Sequence, residues 1–155
     1  MTTKPQLRTL NTLFFAAVAV AASLVAGAAG PADDATAIEG SWKPVQAELG
    51  GQAMPEAIVK TISLRLDHGR YYVTVAGSPD NGTYTLDAAT QPSGMTVTGT
   101  DGPNKGKTFP CIYELKGDTL RVCYDLSGAK RPAEFKTNLG TQLYLVTYKR
   151  ARSAG

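Results

Sequence analysis

The sequence predicts an all-β fold, a small antiparallel up-and-down barrel of about eight strands with one short helix. Three observations predict it. Apolar residues alternate in short period-two runs, pairs of Gly, Asn, Asp and His punctuate those runs, and no segment of the folded part keeps helical periodicity over three turns. At 155 residues the chain fits one domain. With 43% apolar and 19% charged residues it has the composition of a globular protein. A two-sheet sandwich is the alternative architecture; closing the meander into a barrel removes its exposed edges.

The first segment reads as an address. Lys4 and Arg8 precede an apolar run from Leu13 to Ala29 whose only polar side chain is Ser23, and small residues crowd Ala26-Gly27-Ala28. A basic start, a short apolar stretch and an A-x-A site describe a secretory signal peptide over residues 1–28, cut after Ala28 or, second choice, Gly30. A membrane anchor needs roughly 20 strongly apolar residues, and this Ala-rich run is a weaker candidate for one. No Cys lies near the site and no twin-Arg pair precedes it, which points to the general secretion route. Losing Lys4 and Arg8 leaves 14 Lys plus Arg against 13 Asp plus Glu, so the net charge falls from +3 to +1. That balance, without a clustered basic face, speaks against a nucleic-acid partner.

Residues 29–37 are small and acidic and read as a flexible leader. The domain proper is expected over 38–150, with a disposable tail at 151–155. Its strands are expected at 41–48, 61–67, 70–76, 83–87, 95–99, 108–115, 119–124 and 141–150. His68-Gly69, Asn81-Gly82 and Lys116-Gly117-Asp118 supply turns, and Pro55 opens a short helix over 55–60. A three-residue loop at 116–118 sets Leu115 opposite Thr119 and hence Cys111 opposite Cys123. Opposed positions bring Cβ atoms to ~4.5–5.5 Å, so a Cys111–Cys123 disulfide is expected in an oxidising compartment. Two small buried thiols are the bland alternative.

The same register puts Glu114 on a face with Ile112, Leu120, Val122 and Tyr124. If that face is interior, Glu114 needs a partner, either Arg131, fixed by Pro132, or a tyrosine hydroxyl such as Tyr113 or Tyr124. These four are the candidate ligand-binding residues, with a buried ion pair that merely locks a loop as the structural reading. His68, the only histidine, sits in a turn and reads as exposed turn chemistry. No spacing suits a zinc site, a phosphate loop or a nucleophile–base set, so no metal, cofactor or catalytic group is expected.

The first strand opens Ile38-Glu39-Gly40-Ser41-Trp42, and Gly-x-Trp there is similar to the lipocalin signature. The resemblance implies that Trp42 closes the barrel floor under a basic residue after the last strand, here Arg150. Residues 112–120 (Ile-Tyr-Glu-Leu-Lys-Gly-Asp-Thr-Leu), then Cys123 and Arg131-Pro132-Ala133-Glu134-Phe135, resemble an uncharacterised lipocalin-like domain family of planctomycete bacteria. The likeness runs from Ile38 to Arg150. Cys111 departs from it, standing where the pattern has Gly. The resemblance implies a fold and no assigned reaction. The expectation is therefore a secreted or periplasmic, non-catalytic, monomeric protein binding a small apolar or amphipathic molecule, without a membrane anchor once the signal is cut. The second reading is a protein-interaction or inhibitor module on a filled barrel, its loops around 77–81 and 100–107 touching a partner; a hydrolase or isomerase ranks third.

Overall fold

In the computed structural model, which describes residues 31–152, nine strands and two short helices form one closed antiparallel barrel. The signal-peptide segment 1–28 lies outside the described residues, as do residues 29, 30 and 153–155. The strands are β1 (Gly40–Leu49), β2 (Gln52–Ala53), β3 (Ser63–Asp67), β4 (Arg70–Val75), β5 (Ser78–Asp87), β6 (Gly94–Asp101), β7 (Thr108–Lys116), β8 (Thr119–Asp125) and β9 (Leu143–Arg150). The helices are α1 (Pro31–Ala37) and α2 (Glu56–Val59). From β3 to β9 each strand pairs with the next, β1 pairs with β3, and β1 also pairs with β9 to close an eight-stranded barrel. The two-residue β2 only extends the end of β1.

Alternation drives the strands as expected. In β3, Leu64 and Leu66 are buried and Arg65 is exposed; in β4, Tyr71 points in and Tyr72 out. His68-Gly69 turns the chain with both residues at positive φ, 47° and 76°, the geometry a two-residue hairpin requires. The next turn differs from expectation. It falls at Ala76-Gly77, with φ 50° and 82°, whereas Asn81-Gly82 lies inside β5 at a register shift against β6. A side chain on Gly82 would run into the Tyr71 ring and the Thr98 carbonyl, so this glycine serves close approach opposite a bulge whose extra residue, Thr100, lies in β6.

The β7–β8 hairpin carries the largest correction. Its strands run on to a Lys116–Thr119 pair, leaving a two-residue loop of Gly117-Asp118. Cys111 therefore stands opposite Tyr124, and Cys123 opposite Ile112. Because side chains alternate with period two, one residue of loop length sends the two sulfurs to opposite faces of the sheet. Cys111 points into the barrel, Cys123 points out, and both are buried free thiols rather than a disulfide.

The leader also differs from expectation. Residues 31–37 form α1, and Ile38 just after it is wholly buried. The Trp42 indole N–H donates to the Ile38 carbonyl at 2.8 Å, and the Tyr113 hydroxyl donates to Asp34 at 2.7 Å. These bonds bring α1 across one end of the barrel, the floor. Neither α1 nor α2 is long enough to cross a membrane.

The long connection 126–142 between β8 and β9 wraps the outside of the barrel like a strap. Ile112 and Cys123 are buried although they face outward. Arg131 anchors this strap by donating to the carbonyls of Met95 (2.8 Å) and Cys111 (2.6 Å) and to the Thr96 hydroxyl (3.1 Å). Gly94 makes room, since a Cβ there would lie 2.9 Å from the Arg131 guanidinium. Farther along, Phe135 packs under Arg121 at 4.2 Å, and the Thr137 hydroxyl binds Glu48 and accepts from the Gly51 N–H.

Candidate functional site

The barrel is not filled. Side chains from β3 to β9 enclose a cavity of about 210 Å³. A cavity of roughly 150 Å³ already admits benzene, whereas pockets for drug-sized ligands start near ~300 Å³, so this space suits a single-ring molecule. Its wall mixes aliphatic residues such as Leu64, Val73, Val97 and Val122 with aromatic ones. The cavity reaches the surface beside Val75, which lines it and is 40% exposed.

Five tyrosines line the space: Tyr71, Tyr84, Tyr124, Tyr144 and Tyr148. The Tyr124 and Tyr144 rings stack with centroids 5.6 Å apart, and the Tyr124 and Tyr148 hydroxyls meet at 3.3 Å. Burial raises the pKa of all five. Tyr144 is pushed up to about 12 by burial, and Tyr71 to about 12 by burial and by the negative charge of Asp80. Burial acts on Tyr124, Tyr148 and Tyr84 in the same direction. At neutral pH these phenols are therefore uncharged donors and acceptors, not bases.

Asp80 is the one charged side chain in the lining. Opposite Val73 in the β4–β5 pair, it points into the barrel. One oxygen accepts a hydrogen bond from the Asn104 side-chain amide. The other, Oδ1, is shielded from solvent and has no hydrogen-bond partner. Asn104 reaches it because the β6–β7 loop folds back: Gly106 N–H donates to Gly99 O at 2.9 Å and Gly99 N–H to Lys107 O at 2.9 Å. A side chain on Gly99 would strike the Asn104 carbonyl, so glycine there permits the fold-back.

Of the four candidate ligand-binding residues, only Tyr124 lines this cavity. Glu114 faces outward opposite Arg121, 3.2 Å from its guanidinium and 3.5 Å from Lys116 Nζ. Arg131 is the strap anchor on the outer face and does not meet Glu114. Tyr113 points inward but sits at the floor, bonded to Asp34. Trp42 and Arg150 come together as expected, with the guanidinium 4.3 Å over the indole. Arg150 also donates to the carbonyls of Glu39 (2.7 Å) and Ala37 (2.6 Å). His68 is an exposed turn residue whose ring bonds Asp67; with Glu39 these groups lie close enough to share an ion, but they already pair with one another.

Asp80 and Asn104 were not anticipated. The signal was present: with the turn at Ala76-Gly77, residues Ser78, Asp80, Gly82, Tyr84 and Leu86 alternate on one face. Reading Asn81-Gly82 as a turn hid it. No protein-family model, curated protein or solved structure matches this chain. The likeness to lipocalin-like domains thus rests on the residues quoted for it, and the site must be read from its own chemistry.

Proposed function

We propose that this protein is a non-catalytic carrier or sensor that holds a small, mainly apolar molecule inside its barrel. The observation that carries the reading is the tyrosine- and aliphatic-lined cavity of about 210 Å³, open beside Val75, with polar groups confined to a few positions. Such a lining favours an apolar body by burial and orients it through one or two hydrogen bonds. The signal-like N-terminus supports a secreted or periplasmic setting, where such a binder would meet its ligand outside the cytoplasm.

Calorimetric titration with ethylbenzene tests the reading, alongside a variant whose cavity is filled, Val122→Phe. The expected result is saturable 1:1 binding by the unmodified protein and at least a tenfold loss in the folded variant. No saturable binding, or binding unchanged by filling the cavity, rejects it. A second reading has its own observation. Leu49, Ile58 and Leu139 are exposed apolar residues on the ends of β1, α2 and the strap, so a protein partner could dock there. Ethylbenzene binding unaffected by Leu139→Lys separates the two.

A further inference from the structure

We infer that the cavity selects a small organic cation, a primary amine on a ring-sized apolar body, with its nitrogen seated against Asp80. The inference rests on the binding reading above and narrows it to a ligand class. Three observations carry it.

The first is sign. Among the described residues lining the cavity, Asp80 is charged and no Lys, Arg or His joins it. An anionic ligand such as a fatty acid would bring a second negative charge into a low-dielectric space without a counter-ion. A cation would find one waiting. The second is the state of the carboxylate. Asn104 holds one oxygen, while Oδ1, closed off from solvent beside Gly102, has no donor among the described residues, so the carboxylate is only half satisfied. A buried acceptor without a donor is uncommon in a finished structure, and an ammonium supplies a donor together with the compensating charge. Among the described residues the other such atom is Arg121 Nε, on a side chain packed against Phe135 on the outer face, away from the cavity. The third is the wall: uncharged tyrosine rings offer their negative faces to a cation and their bodies to a ring. The volume limits that ring to one, with a short arm to reach Asp80.

Four probes of nearly equal shape test this by calorimetry on the protein: phenethylamine, 2-phenylethanol, phenylacetate and ethylbenzene. Phenethylamine is expected to bind at least tenfold more tightly than 2-phenylethanol, and phenylacetate more weakly than ethylbenzene. Asp80→Asn is expected to remove the amine's advantage over the alcohol. The ranking on the unmodified protein stands without the variant. An amine that binds no better than the alcohol, or keeps its advantage in Asp80→Asn, overturns the cation inference, while ethylbenzene binding keeps the cavity reading alive. If none of the four binds, both fall.

Discussion

The two ends of the barrel are built on opposite terms. At the floor, polar groups are answered within the chain: the Trp42 N–H by Ile38 O, the Tyr113 hydroxyl by Asp34, and Arg150 by two carbonyls and Asp118. At the mouth, Asp80 keeps an unanswered oxygen, and Val75 and Leu49 at the ends of β4 and β1, with Ile58 of α2, expose apolar surface. Satisfied polar groups stabilise a fold, whereas an unsatisfied one costs stability unless something else uses it. The difference teaches that the floor serves the fold and the mouth is where to look for function.

Substitutions can break or sharpen that contrast. The largest effect is expected for Trp42→Ala, which removes a buried indole under a guanidinium and should cost about 3–5 kcal/mol, read as a lower urea midpoint by circular dichroism. Next, Arg150→Ala should cost about 2–3 kcal/mol, and Arg150→Lys should recover less than half, because one ammonium cannot span both carbonyls and the ring. If either leaves stability unchanged, the floor is not what holds the barrel closed.

Arg131→Ala tests the strap and should cost about 2 kcal/mol, since it removes the charged donor that ties the strap to the Met95 and Cys111 carbonyls and the Thr96 hydroxyl. It should also speed labelling of Cys123 by a thiol reagent while Cys111, inside the barrel, stays protected. Equal labelling of both sulfurs would contradict the assignment of opposite faces.

Much of this architecture was legible in the sequence, for identifiable reasons. Eight strands announce themselves because residues such as Leu64, Arg65 and Leu66 alternate against solvent. The Trp42–Arg150 pair was readable only through the resemblance of Gly40-Ser41-Trp42 to the lipocalin signature, and the β1–β9 closure brings the two residues together. The inside of the site was not. Whether Glu114 or Tyr113 faces inward depends on one residue of loop length at Gly117-Asp118, which no periodicity encodes. Arg131 was singled out, but its place on the outer face was not legible because the strap has no repeat, and Asp80 hid because Asn-Gly signals a turn more often than a strand interior.

Two smaller effects sharpen the mouth. The Asp80→Asn substitution should leave the urea midpoint unchanged or raise stability by up to about 1 kcal/mol, since it removes a charge of which one oxygen is shielded from solvent without a donor. A loss comparable to that of Arg150→Ala would erase the contrast. Asp125, at the start of the strap, supplies a pH signature. Burial opposes its ionisation, but the Ser127 hydroxyl and the N–H groups of Lys130 and Ser127 outweigh it and hold its pKa below the usual carboxylate value. A depressed folded pKa means the contribution is present above about pH 4 and lost as pH falls through the folded value. Asp125→Asn should therefore flatten part of the stability decline between pH 5 and 2, by no more than ~1 kcal/mol, as followed by urea midpoints across that range.

The most direct measurement is a crystal structure of the protein soaked with phenethylamine. The account predicts density for the ring inside the barrel between Tyr124 and Val97, with the nitrogen within hydrogen-bond distance of the Asp80 carboxylate. An empty barrel, or the amine held on the outer face or at the Trp42 floor, would contradict it.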